Sequence, residues 1–74
     1  IFMLFACINP FMVEKYNNSW EPTEEYLTIE AGTVWMLDNS QNCIGGENHL
    51  ESRIDGSWIE ICNDTLHKCF KRLN

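Results

Sequence analysis

Two histidines, four cysteines and eleven acids are the side chains with which this 74-residue chain can do chemistry. Nucleophilic catalysis needs a Ser, Cys or Thr beside a base that a third group orients. Only His49 and His67 offer such a base. His67 lies two positions from Cys69, which puts the pair on different faces of a helix. His49 approaches Cys62 across an expected hairpin, and this Cys–His pair reads as a plain cross-strand contact. Structural zinc takes four Cys or His ligands, usually as two close pairs. Cys62, His67 and Cys69 with His49 do not have that spacing. Glu51 and Glu60 are expected to face each other across the hairpin, an unfavourable like-charge pair best tolerated on a wet surface beside Arg53. Gly45-Gly46 alone is no phosphate loop. The chain therefore reads as non-catalytic, with no catalytic, cofactor-binding or metal residue assigned.

Eleven acids stand against five bases, a formal charge of −6. Affinity for nucleic acid comes largely from Lys and Arg at phosphates, so direct binding to DNA or RNA is not expected. Anionic membrane surfaces are disfavoured for the same reason. A basic protein partner is compatible. Glu14, Glu21, Glu24, Glu25 and Glu30 crowd one stretch, while Lys68, Lys71 and Arg72 close the chain. The cysteines, Cys7, Cys43, Cys62 and Cys69, form no CxxC, and no secretory signal is visible, so they read as reduced, mostly buried thiols in a cytoplasmic protein. The apolar run 1–7 is too short for a membrane span and reads as a buried first strand.

The length bounds the chain to a single domain, 1–74. Residues 2–8 and 11–16 are β-prone runs broken by Asn9-Pro10. Residues 17–25 read as a polar loop carrying Trp20. Strands follow at 26–30 and 33–37 around a turn at Ala31-Gly32, then a loop at 38–42, and a short strand start at Cys43-Ile44. Asp55-Gly56 between alternating runs predicts a two-residue hairpin of 49–54 with 57–62. In that register Arg53 faces Trp58, Glu51 faces Glu60 and Leu50 faces Ile61. Leu50, Ile54, Ile59 and Ile61 make the core face, and His49, Glu51, Arg53, Trp58 and Glu60 the solvent face. A helix is predicted over 63–73, with Asn63 as N-cap and Leu66, Cys69, Phe70 and Leu73 as its apolar stripe.

The expected fold is mostly β (α+β): a small, curled, SH3-like antiparallel sheet or barrel of about five strands with one C-terminal helix. Tyr26-Leu27-Thr28-Ile29-Glu30-Ala31-Gly32-Thr33-Val34-Trp35 resembles the diverging turn of SH3-type barrels, with the acidic loop at the RT-loop position. The set Gly32-Thr33-Val34-Trp35, Gly45-Gly46, His49-Leu50-Glu51, Gly56-Ser57-Trp58-Ile59-Glu60-Ile61 and Leu66…Phe70 resembles small proteins of Firmicutes bacteria, often carried by prophages and other mobile elements. That resemblance implies a bacterial cytosolic setting and supplies no activity. Residues 1–9 depart from it.

Exposed aromatics serve binding surfaces as anchors, and SH3-type domains line a peptide groove with them. Tyr16, Trp20 and Trp58, with Glu21, Glu24, Glu25 and Arg53, are the expected protein-binding residues. The expected role is an acidic interaction module for a basic protein surface, as a monomer or homodimer. The alternative is a self-assembling structural protein that pairs through strands of residues 1–16.

Overall fold

The apolar start of the chain becomes an interior strand. In the computed structural model, which describes residues 2–74, β1 (Met3–Cys7) lies between β4 (Val34–Leu37) and β7 (Phe70–Arg72). Its alternation sends Phe5 and Cys7 into the core. Beyond β4 lie β5 (Asn48–Ser52) and β6 (Trp58–Ile61), which completes a five-stranded antiparallel sheet in the order β6-β5-β4-β1-β7. A second sheet is a two-stranded antiparallel ribbon of β2 (Phe11–Tyr16) and β3 (Pro22–Ile29). The protein is therefore mostly β, with one short helix, α1 (Asn63–Cys69), near its C-terminal end. The two sheets do not join into a closed barrel.

The diverging-turn pattern corresponds to a real parting of strands. β3 ends at Ile29 in the ribbon, Gly32 takes a φ of +91°, and β4 leaves into the large sheet. Gly32 donates its amide to the Cys7 carbonyl at 2.7 Å, and Cys7 donates to Thr33 at 2.9 Å, so the turn is tied to β1. Phe5, Cys7, Ile29, Trp35, Leu50, Ile59, Ile61 and Phe70 make one core, with Phe11 and Val13 of the ribbon packed against it. Phe11 meets Phe70 edge to face at 5.7 Å, a favourable aromatic geometry.

Five expectations are corrected. The acidic stretch is not all loop, because β3 begins at Pro22 and carries Glu24 and Glu25 on a strand. Cys43-Ile44 begins no strand; both lie in an irregular loop. The helix stops at Cys69 rather than 73, since Phe70 turns extended (φ −126°, ψ 153°) and joins β1. A short helix is marginal, whereas the free edge of β1 offers hydrogen bonds and the core accepts the Phe70 ring. Asn63 is the first helical residue, not the cap, and its amide donates to Glu47 at 3.1 Å.

The fifth correction concerns the hairpin. The register is shifted by two residues, pairing His49 with Glu60, Leu50 with Ile59 and Glu51 with Trp58. Asp55 lacks the positive φ a type I′ turn demands, and only Gly56 has it. The Asp55 carboxylate instead accepts from the amide and hydroxyl of Ser57, at 2.9 and 2.7 Å, which holds a longer turn. Those two bonds, the amide's first, hold the Asp55 carboxyl below its ordinary value. A shift of two preserves the facing of each side chain, so Leu50, Ile59 and Ile61 remain core. Ile54 falls into the turn and is 82% exposed. Leu50→Ala is expected to cost about 2–5 kcal/mol in denaturant unfolding. Ile54→Ala should stay within about 0.5 kcal/mol of the parent; an equal loss at both sites would refute this register.

Candidate functional site

Glu60 was expected on a wet face; its side chain is fully buried. The cause is the loop after the 3₁₀ turn Asn39–Gln41, which folds over β6 and aims backbone amides at the carboxylate. Cys43 donates to Oε2, while Ile44 and Gly46 donate to Oε1 at 3.2 and 2.9 Å. Gly45, with a φ of +82°, provides the bend that lets these amides converge. Such amide nests are natural anion sites, and here the anion is the protein's own. Gly46 has no room for a side chain: a Cβ there would lie 2.6 Å from Glu60 Cβ.

His49 completes the arrangement. It is 2% exposed, with Nδ1 3.0 Å from Glu60 Oε2 and Nε2 3.5 Å from Glu51 Oε1. Its amide donates to Asn39 Oδ1 at 2.7 Å, which ties β5 to the 3₁₀ turn. Burial pushes the Glu60 carboxyl up, but bonds from the Cys43 amide, the His49 ring and the Gly46 and Ile44 amides outweigh it. The group therefore sits below its ordinary value of 4.5. The Glu51–Glu60 pair is not formed, since Glu51 lies opposite Trp58. Nor is the Cys62–His49 pair: the Cys62 thiol is exposed and hydrogen-bonded to Thr65 Oγ1 at 3.3 Å. Of the four thiols only Cys7 is fully buried, which corrects the expectation for the others.

On the far side of His49 an aromatic stack begins. Trp58 lies on the His49 ring at 5.4 Å, and Tyr16 and Trp20 reach Trp58 at 6.5 and 5.6 Å. The three aromatics expected to act together are therefore assembled. Trp20 is 49% exposed and held at a φ of +61°, a left-handed conformation costly for a bulky residue. The Asn17 side chain accepts from the amides of Ser19 and Glu21, at 2.8 and 3.1 Å, and so fixes this turn.

Beside the stack runs a groove of about 360 Å³. Consecutive residues Val13–Tyr16 of β2 and Trp58–Glu60 of β6, with Ser57 just before them, line it together with Leu27 and Ile44. Among the described residues β6 has β5 as its only hydrogen-bonded neighbour strand and β2 has only β3, so both strands keep a free edge. Glu21, Glu24 and Glu25 are exposed on the same ribbon but outside the groove lining. Arg53 lies apart: it is exposed in the β5–β6 turn near Met36 and does not stack on Trp58. The contribution of Ile44 and Leu27 was not foreseen, although the Gly45-Gly46 pair beside Ile44 signalled a tight loop.

No family model, no curated protein and no solved structure matches the chain. Among the described residues no helix is long and apolar enough to cross a membrane.

The Glu60 nest makes two testable demands. A carboxyl lowered in the folded state contributes stability above its unfolded pKa that is lost as pH falls through the folded one. Thermal stability should therefore drop as pH is lowered from 4.5. Glu60→Gln should flatten that acid limb and cost about 1–3 kcal/mol near neutral pH, because its amide group sets donors against donors. Gly46→Ala should cost about 1–3 kcal/mol by overpacking against Glu60; wild-type stability for that variant would refute the close approach.

Proposed function

We propose that the protein is a non-catalytic interaction module whose groove between β2 and β6 receives an extended, basic segment of a partner protein. The observation that carries this reading is the slot itself: two free strand edges flank one groove, with Tyr16, Trp20 and Trp58 clustered beside it. An added strand would gain main-chain hydrogen bonds from such edges, and side-chain pockets would select its sequence. The groove volume of about 360 Å³ falls in the range of ligand sites, roughly 300–1,000 Å³. Amphipathic aromatic rings are favoured anchors for such contacts.

Charge selects the partner. The chain carries −6 overall, and Glu21, Glu24 and Glu25 are exposed on the ribbon that forms one wall. A segment rich in Lys or Arg would be steered toward that surface, and the steering would weaken with salt. The resemblance to prophage-borne proteins would set this encounter in a bacterial cytosol. Self-assembly through residues 1–16 has less support, since both edges of β1 are already taken by β4 and β7. Pairing between copies would have to use β2.

The test uses an alternating Lys-Val octapeptide as probe and a Glu-Val octapeptide as control. The basic peptide should shift tryptophan emission and the backbone amide resonances of residues 13–16 and 57–60, less strongly at high salt. Trp20→Gly removes the exposed ring and relieves the left-handed strain, so its stability should stay within about 1 kcal/mol of the parent. Its peptide affinity should fall by about 1–2 kcal/mol. Equal response to the acidic peptide would sink the charge argument. A salt-independent dimer by light scattering, with no peptide response, would make the slot a self-interface.

A further inference from the structure

Cys43, His49 and Glu60 bring three different metal-ligating atoms together, within 4.8 Å of one another. The three come from separate parts of the chain: the irregular loop, β5 and β6. We propose that this cluster is a binding site for a divalent, borderline-soft cation of the zinc class, held by Cys43 Sγ, His49 Nδ1 and Glu60 Oε2. The proposal is independent of the peptide groove.

The donor set suits that chemistry. Thiolate, imidazole and carboxylate are the three side-chain donors zinc takes. Three protein ligands leave a fourth position for water, the arrangement of open zinc sites. Bonds of about 2.0–2.3 Å in a tetrahedron place neighbouring ligand atoms about 3.3–3.6 Å apart. His49 Nδ1 and Glu60 Oε2, now at 3.0 Å, need part only slightly to admit the ion. Among the described residues Cys43 Sγ donates only to the Gln41 carbonyl, at 3.2 Å, so its side chain is free to turn inward.

The surroundings supply what a metal site requires beyond its ligands. Metal-ligating imidazoles donate their second N–H to a carboxylate or carbonyl, which fixes the ring and raises its basicity. Glu51 Oε1 lies 3.5 Å from Nε2 of His49 and is placed to accept that proton. In the metal-free protein Nδ1–H donates to Glu60 Oε2; a cation takes the place of that proton, the imidazole carries its one proton on Nε2 instead, and Nδ1 and Oε2 become two ligands. The Trp58 ring stacked on His49 holds the imidazole plane. The amides of Ile44 and Gly46 hold Oε1, while Oε2 accepts from the Cys43 amide and turns its other lone pair to His49 and the metal. On binding, the Cys43 thiol gives its proton to solvent and the imidazole keeps one proton, on Nε2. No electron transfer is involved. The ion would tie the loop carrying Ile44, part of the groove wall, to β5 and β6.

The test titrates zinc and cobalt(II) into the purified, chelator-stripped protein in a non-chelating reductant. The expected result is one equivalent bound per chain, a raised Tm, and a thiolate-to-cobalt charge-transfer band in the near ultraviolet. Cys43→Ser removes one ligand without touching the core; it should abolish the band and weaken zinc binding at least tenfold. Glu51→Gln should keep the band but weaken binding by about 10–100-fold, as for other partners of ligating histidines. Absence of stoichiometric binding overturns the proposal. So does binding unchanged in Cys43→Ser, which would place the ion elsewhere, as at Cys62 and His67.

Discussion

The buried Glu60 carboxylate is the interaction on which the rest of this structure depends. A lone carboxylate cannot be taken out of water without compensation. Here three backbone amides and an imidazole supply it. In return the carboxylate organises a loop that has no strand ladder of its own. Cys43, Ile44 and Gly46 donate their amides to Glu60, and the loop closes over β6. His49 needs the same carboxylate to remain almost wholly enclosed. Trp58 then rests on His49, and Tyr16 and Trp20 rest on Trp58. The chain of contacts runs from one buried charge to the aromatic surface.

This dependence explains a division of labour between the two faces of the β5–β6 hairpin. One face gives Leu50, Ile59 and Ile61 to an apolar core that is non-directional and tolerant of detail. The other gives His49, Glu51, Trp58 and Glu60 to a polar cluster in which Glu60 bonds three backbone amides and His49, with Glu51 beside the imidazole and Trp58 stacked on it. Buried polar networks of this kind are costly when incomplete and specific when complete. Among the described residues no buried side-chain nitrogen or oxygen lacks a partner.

The ribbon of β2 and β3 stands apart from the large sheet and docks through Phe11, Val13 and Ile29. Because it packs rather than pairs, it leaves free edges on β2 and β6. An incompletely closed β structure of this size has to do something with such edges. The strained turn at Trp20 and the second left-handed residue, Glu24, both lie in this ribbon. Backbone strain gathers where a structure presents side chains for a purpose, and Trp20 is so presented beside the groove.

Local pattern by itself determined the β-rich class, the terminal helix, the core face of the hairpin and the identity of the aromatic trio. Each of these follows from alternation, helical spacing or the scarcity of large exposed rings, which act over a few residues. Only the tertiary structure decided the fate of His49 and Glu60. Alternation placed them correctly on the face opposite Leu50, but a face is wet or dry according to what covers it. The cover came from residues 43–46, more than a dozen positions away from Glu60, through backbone amides that carry no side-chain signature. The same holds at the C-terminal end. Phe70 fits a helical stripe as well as a strand, and the open edge of β1, some sixty residues earlier, settled the choice by offering hydrogen bonds that a further helical turn did not need.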